Sequence, residues 1–143
     1  MIYSVSCQHA IQALTRLVQL TPHGGFCLLR QMTDPDGLPE PFVGKLMQAL
    51  VRADILISAK GRNGGFALRG SPSEVSLREI VEAIDGPGSL ERCIVGMGEC
   101  DDDQPCPHHE YWKPIRRQVM EVMERTSLAD LVESIGKKTR RRR

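Results

Sequence analysis

A cysteine-rich stretch, residues 93–109, limits most strongly what this 143-residue chain can fold into. We call it the cysteine loop. Glycines and prolines break regular structure along its length, and three consecutive aspartates keep it in contact with water. Its large apolar side chains are Ile94, Val95 and Met97, which are too few to order it by packing. A bound group is therefore expected to hold this loop in one conformation.

The cysteine loop contains the donor atoms that soft metal ions prefer. Cys93, Cys100, Cys106 and His109 follow the spacing Cys-x6-Cys-x5-Cys-x2-His, with His108 as a second histidine. Structural zinc sites use closely paired cysteines, and ferredoxins use other spacings. The wider gaps favour an iron–sulfur cluster, with bound zinc or three unrelated cysteines as the alternatives. His109 is the better candidate of the two histidines, although spacing alone hardly separates them.

Charge is distributed unevenly along a chain whose net charge is only +1. Acidic and basic residues are equally numerous up to Gly88, whereas six of the last seven residues are Lys or Arg. A block of like charge predicts a disordered basic tail, here residues 136–143, with some affinity for phosphate. Overall charge therefore does not by itself indicate nucleic-acid binding.

The sequence predicts a cytoplasmic protein with reduced thiols. No apolar run approaches the length that spans a membrane, and the N-terminus lacks the pattern of a secretory signal. Five cysteines are an odd number, which argues against a disulfide framework. Aromatic residues are few, so stacking on single-stranded bases is not expected as the main activity.

Two amphipathic helices are predicted in the first third of the chain. Apolar residues recur at helical spacing over residues 6–20 and over residues 41–53. Between them lie a short apolar segment at residues 26–32, which is expected to begin another helix, and the turn Asp34-Pro35-Asp36-Gly37. Helices joined by a tight glycine-containing turn are typical of a helix-turn-helix unit.

A β-hairpin is predicted directly after this unit. Residues 55–57 and 66–68 are its short strands, and Lys60-Gly61-Arg62-Asn63-Gly64-Gly65 is its tip. Glycines let the backbone of such a tip approach a phosphate, and the lysine and arginine supply charge. Alone, the hairpin would equally be an ordinary surface turn. After a helix-turn-helix it is a wing, and the combination predicts binding to double-stranded DNA.

Three further helices are predicted, at residues 76–85, 111–125 and 127–135. The first begins with Ser76 and Glu79 in capping-box spacing. The long second helix lies outside the winged unit, so its apolar face is expected to pair with a second copy in a homodimer. The predicted fold is mainly α with a small β-hairpin wing. Its parts are a winged helix-turn-helix domain (1–88), a cluster-binding loop (89–110), a dimerisation helix with a short final helix (111–135), and the basic tail.

These residues resemble a known family up to about Ile135. The resemblance rests on the first helix, the Gly37-Leu38-Pro39 turn, the Lys60-Gly61-x-x-Gly64-Gly65-Phe66 wing, the 77–85 helix and the cysteine loop. Together they are similar to bacterial iron–sulfur-cluster regulators typified by IscR and NsrR, the Rrf-two family. The segment Cys106-Pro-His108-His109-Glu-Tyr-Trp112 is most similar to the IscR branch. In that branch a histidine three residues past the third cysteine ligates a [2Fe–2S] cluster, which selects His109.

The chain departs from the family pattern at three places. The first cysteine gap is one residue longer than is typical of IscR. NsrR-like members hold a [4Fe–4S] cluster with a carboxylate near residue 8 of the partner chain, where this chain has Gln8 and His9. His9 is the residue there that could replace the carboxylate. Gly44 and Lys45 stand where recognition helices of the IscR type carry Glu-Gln, so different bases are expected to be read.

The resemblance implies a homodimeric transcriptional regulator, most simply a repressor, that is not an enzyme. Its operator affinity would depend on an iron–sulfur cluster that senses redox state, nitric oxide or iron status, with [2Fe–2S] expected and [4Fe–4S] as the alternative. The alternatives are a zinc-bound or metal-free winged-helix regulator and a small electron-transfer protein. The expected metal ligands are Cys93, Cys100, Cys106 and His109. The expected DNA-binding residues are Pro41, Gly44, Lys45, Gln48, Lys60, Arg62, Asn63 and Gly64, with Lys45 and Gln48 at base edges.

Overall fold

A computed structural model describes residues 2–34 and 37–141 of the chain. Within these residues the fold is mainly helical with one two-stranded antiparallel hairpin, as predicted. The helices and strands are α1 (Val5–Leu20), α2 (Leu29–Thr33), α3 (Glu40–Arg52), β1 (Leu56–Ala59), β2 (Gly65–Leu68), α4 (Leu77–Asp85), α5 (His109–Arg125) and α6 (Leu128–Arg141). In this part of the chain, no helix has the length and apolar character needed to cross a membrane. Pro35 and Asp36 of the predicted turn, and Arg142 and Arg143 of the tail, lie outside the described residues.

Helix α1 is the centre of the core. Ser4 caps its N-terminus, because the serine hydroxyl accepts a hydrogen bond from the Cys7 N–H at 3.0 Å. One face of α1 is fully buried and packs against α2, α3, α4 and α6. The residues of that face include Cys7, Ala10, Ala13, Leu14 and Leu17. The apolar stripe seen in the sequence is therefore the one that forms the centre of the core.

Helices α2 and α3 form the helix-turn-helix pair and lie close together at Gly44. A Cβ atom at Gly44 would stand 3.1 Å from Leu29 Cδ2 of α2. The buried face of α3 is apolar and consists of Val43, Leu46, Met47 and Leu50. Gly44 therefore has a packing role, since its missing side chain lets the two helices approach.

The wing is a hairpin joined to a third piece of extended chain. Residues Leu56 and Leu68 pair at one end of the hairpin, and Ala59 and Gly65 pair at the other. Cys27 forms an additional bridge with Phe66, through N–H···O bonds of 2.8 and 2.9 Å. These contacts fix β2, near its tip-side end, to the segment that leads into α2.

The last helix connects back to the DNA-binding domain. The Leu77 N–H donates to the Thr126 carbonyl and the Leu128 N–H to the Val75 carbonyl, both at 2.8 Å. Leu128 is fully buried. Helix α6 continues to Arg141, whereas the sequence predicts a helix that ends at Ile135 and a disordered tail. Lysine and arginine are good helix formers and their charges favour a helix C-terminus, which is the physical reason for the longer helix.

Candidate functional site

The cysteine loop is folded by its own backbone between α4 and α5. After a 3₁₀ turn at Ser89–Glu91, the Cys93 N–H donates to the Gly98 carbonyl at 2.9 Å, which closes a tight turn. At the other end the His109 N–H donates to the Cys106 carbonyl at 3.0 Å and begins α5. The loop therefore holds Cys93 and Cys106 near its two ends, beside the first turn of a long helix.

All four predicted ligands line one pocket of about 950 Å³. Cys93 is buried, Cys100 and Cys106 are half-buried, and His109 is only 2% exposed. Cys106 is the side chain beside Cys93, where it helps to lower the pKa of the Cys93 thiol. Cys100 Sγ lies 3.2 Å from His109 Nδ1. The donors therefore form two adjacent pairs, one of two cysteines and one of a cysteine and a histidine.

The two neighbouring histidines differ in position. The side chain of His109 points into the pocket, whereas His108 is exposed. On the side opposite the thiols, His109 Nε2 lies 2.7 Å from the Asp102 carboxylate. This geometry favours His109 as the donor of the pair, with Nδ1 as the atom that faces the cysteines.

Backbone amides surround the Cys93 thiol. Backbone hydrogen bonds from Val95 and Met97 lower the pKa of Cys93 below its ordinary value, and burial opposes them. The thiolate is the form that binds metals, so these amides favour a metal ligand at Cys93.

Asp102 is also charged under ordinary conditions. The Lys113 ammonium, at 2.6 and 2.8 Å from its two oxygens, and then His109 lower the pKa of this carboxyl. Neither Asp102 nor Lys113 was predicted from the sequence as part of the site. Lys113 lies four residues after His109, but the predicted helix begins at Tyr111, so the sequence did not place the two residues on one helix. The position of Asp102 carries no signal in the sequence.

The donor set is compatible with a two-centred group. Among residues 2–34 and 37–141, no three His, Cys, Asp or Glu side chains converge as they would on one metal ion. A [2Fe–2S] cluster takes two ligands at each of two irons, so its four ligands need not converge on one point. The two donor pairs of the pocket correspond to that requirement.

The predicted DNA-binding residues lie on α3 and the wing. Side chains of Pro41, Lys45 and Gln48 are exposed on α3, and those of Lys60, Arg62 and Asn63 are exposed at the tip of the wing. A groove lined by the exposed residues of α3 and by Phe66 joins the two elements. It also includes Arg52, which the sequence analysis did not select although it follows Gln48 by four residues.

The two glycines that were predicted to bind DNA, Gly44 and Gly64, are less exposed than the charged residues of the same prediction. Gly64 is buried, and a Cβ atom there would stand 2.2 Å from the Ala59 carbonyl oxygen. Gly44 is half-buried against Leu29. Gly64 is therefore required by the packing of the chain itself, and Gly44 allows α3 to approach Leu29 of α2.

Helix α5 has two apolar faces. Met123 is buried, and Val119 and Met120 pack against the core. On another face Tyr111 and Val122 are 76% and 62% exposed, with Ile115 between them. Nothing in the described residues of this chain covers that second face.

Comparison with known proteins matches this arrangement to one family. The model of the Rrf2 family, described as iron-dependent transcriptional regulators, matches residues 3–134. The chain belongs to the Rrf2 family. An HTH-type regulator of Aquifex aeolicus is 26% identical over 92% of each chain. CymR of Bacillus subtilis is 29% identical over 82% of each chain, and IscR of Escherichia coli is 23% identical over 82% of this chain and 72% of its own.

Solved Rrf2 structures share the fold. The structure of CymR of B. subtilis, the global cysteine regulator, gives a TM-score of 0.77 over 92% of this chain and 95% of its own, at 24% identity. IscR of T. potens gives a TM-score of 0.70 over 92% of this chain and 86% of its own, at 20% identity.

These relatives confirm the predicted winged-helix fold and a DNA-binding transcriptional regulator. They also confirm that the chain is not an enzyme, because they are named as regulators. The relatives include both IscR and a cysteine regulator. Family membership therefore does not specify an iron–sulfur cluster, and the case for one rests on the residues of the pocket.

Proposed function

We propose that the chain is a homodimeric repressor whose affinity for its operator depends on a [2Fe–2S] cluster. Cys93, Cys100, Cys106 and His109 would hold the cluster. The observation that carries the proposal is that these four donors line one pocket, in which Cys100 Sγ lies 3.2 Å from His109 Nδ1. Once bound, such a cluster supplies a group that changes charge on reduction and is lost on oxidation or iron shortage.

The cysteine loop is well placed to affect the DNA-binding domain. Glu91, just before the loop, accepts a hydrogen bond at its carbonyl from Arg116 of α5 at 3.1 Å. Its carboxylate lies 3.9 Å from Arg78 of α4, which also pairs with Glu82 at 3.1 Å and with Glu124 of α5 at 3.8 Å. A loop held by a cluster would therefore fix the contacts between α4 and α5, and an empty loop would loosen them.

DNA would be read by α3 in the major groove. The exposed Lys45 can donate to guanine, and Gln48 can pair with adenine. Lys60, Arg62 and Asn63 would contact phosphate or the minor groove from the wing. Gly44 and Gly64 would contribute by holding α3 and the wing in position. A DNA operator as partner also implies a cytoplasmic location.

The uncovered face of α5 would form the dimer interface. On one side of the helix, Ile115 lies about one turn after Tyr111 and Val122 about two turns after Ile115. Two copies of the chain can therefore pair these faces. Pairing two chains places two α3 helices for two half-sites of an operator.

The cluster is tested by anaerobic purification with a visible spectrum and analysis of iron, sulfide and zinc. We expect two irons and two sulfides per chain, as the proposed cluster requires. Replacing Cys93, Cys100 or Cys106 by Ala should abolish the colour, whereas Cys27→Ala, at a core cysteine outside the loop, should retain it. His109→Ala should destabilise the cluster and His108→Ala should not. Wild-type protein that carries zinc or no metal would refute the sensor and leave the DNA-binding regulator in place.

DNA binding is tested by the salt dependence of operator affinity. Lys60→Gln with Arg62→Gln removes four charges from a dimer, which should weaken binding and reduce the slope of log K against log salt by up to about 4. Arg117→Gln on α5 is the matched control and should change neither quantity. Lys45→Ala should instead alter preference among operator sequences. Equal slopes for wild type and the wing variant would refute the contact between the wing and phosphate.

A further inference from the structure

One carboxylate connects the pocket to the start of α5. Asp102 accepts from His109 Nε2 at 2.7 Å and from Lys113 Nζ at 2.6 Å, both through the same oxygen Oδ1. His109 and Lys113 are four residues apart on α5 and therefore project from the same side of the helix. Asp102 thus lies between two groups that the helix itself holds in register.

This contact determines which way the histidine ring faces. A carboxylate can only accept a hydrogen bond, so the proton of neutral His109 lies on Nε2. The lone pair of Nδ1 then faces Cys100 Sγ at 3.2 Å, on the side of the donor pairs. A metal-binding histidine commonly donates its second ring N–H to a carboxylate, which fixes the ring and strengthens its bond to the metal.

The other aspartates of the run do not share this position. The Asp101 carboxylate accepts from the backbone N–H of Asp103 at 2.8 Å and shapes the turn. Asp102 alone among the three lines the pocket while it bonds to a ring nitrogen of His109. Its side chain is 66% exposed, so burial does not explain where it lies.

We propose that Asp102, held in place by Lys113, is a positioning residue that orients His109 to bind the metal centre through Nδ1. The inference rests on the proposed function, because it concerns the same pocket. Asp102 and Lys113 thereby join the four ligands as parts of the site, and Nδ1 is the ligating atom of His109.

The test uses the cluster-loaded protein and two readouts, the rate of cluster release to a chelator and the reduction potential. Asp102→Ala should release the cluster about tenfold faster or more. The reduction potential should rise, since a ring that no longer donates to a carboxylate gives less electron density to iron. Asp102→Asn keeps an oxygen acceptor without the charge and should lie between wild type and Asp102→Ala in both readouts.

Two further variants separate positioning from a general effect on the loop. Asp103→Ala removes a charge from the same run and should match wild type. Lys113→Met should shift both readouts in the direction of Asp102→Ala, but less. If Asp102→Ala and Asp103→Ala behave alike in a protein that carries its cluster, the inference is overturned and the proposed function stands. If the wild-type protein binds no cluster, both are overturned.

Discussion

Replacing Gly65 by Ala should disrupt the attachment of the wing to the segment before α2. Gly65 has φ +108° at the start of β2, a value that side-chain-bearing residues rarely adopt. A Cβ atom there would stand 2.1 Å from the Cys27 carbonyl oxygen, and the obstacle is backbone that cannot rotate away. The backbone at Cys27 and the backbone at residue 65 must therefore move apart. This movement breaks the two hydrogen bonds between Cys27 and Phe66.

The expected cost has two parts. Left-handed backbone costs a residue with a Cβ about 1–2 kcal/mol. Losing the two backbone hydrogen bonds adds roughly 1 kcal/mol each. Gly65→Ala should therefore lower the free energy of unfolding by about 3–4 kcal/mol, a large part of the 5–15 kcal/mol that holds a typical domain together.

Gly61 provides a matched control in the same hairpin. Its φ is +97°, close to that of Gly65, but a Cβ atom there meets nothing within 4 Å. Gly61→Ala should carry only the conformational part of the cost, about 1–2 kcal/mol. Urea unfolding at one protein concentration should separate the two variants by roughly 1 M in midpoint, at the usual slope of 1–3 kcal/mol per M. If the two midpoints fall together, close contact with Cys27 does not explain the glycine, and the reasoning fails.

Three other predictions concern single side chains. Burial, and then the charge of Asp85, raises the pKa of Cys7 to about 12. Iodoacetamide at about pH 8 should therefore leave Cys7 unmodified and label the half-buried Cys100 of the metal-free protein. Peptide mass spectrometry would show which of the two cysteines carries the label. Ser76→Ala removes the N-cap of α4, whose hydroxyl accepts from the Glu79 N–H at 3.2 Å, and should cost about 1 kcal/mol in urea unfolding; no change would contradict the cap. Hydrogen bonds from the N–H and hydroxyl of Ser127 lower the pKa of Asp130, so its carboxylate stabilises the fold above its unfolded pKa and that contribution is lost as pH falls through the folded value. The difference in thermal stability between wild type and Asp130→Asn should accordingly shrink between about pH 6 and pH 2, and a constant difference would rule out this linkage.

Periodicity was sufficient to predict most helices, because a helix must bury one face. The helix predicted at residues 6–20 begins one residue earlier, at Val5, and the one predicted at 41–53 is shifted by one residue to Glu40–Arg52. The sequence does not predict helix ends that depend on contacts with the rest of the fold. Helix α5 begins at His109 rather than Tyr111, because the His108 carbonyl accepts the first i→i−4 hydrogen bond, from the Trp112 N–H at 2.8 Å.

The candidate site was predicted only in part. Spacing identified a group of four donors, since closely spaced thiols in a loop without an apolar core have few other uses. It could not identify Asp102, which reaches His109 because of how the loop folds back on α5. The wing glycine Gly64 was assigned to DNA contact, whereas the structure shows a second reason for it in the nearby Ala59 carbonyl. A sequence motif specifies residue types, but only the folded structure shows whether a residue is needed for packing within the chain or for contact with DNA.

The two ends of α5 are held in different ways, and this difference bears on how the proposed sensor would act. At its C-terminal end, backbone hydrogen bonds from Leu77 and Leu128 tie the α5–α6 turn to the start of α4. At its N-terminal end, α5 is held by the cysteine loop, through the Cys106 carbonyl and the Asp102 carboxylate. A change in the loop should therefore move the first turns of α5 while the last turn stays in place. Because the uncovered face begins at Tyr111 in those first turns, such a movement would alter the interface of the proposed dimer, and with it the spacing of the two α3 helices on DNA.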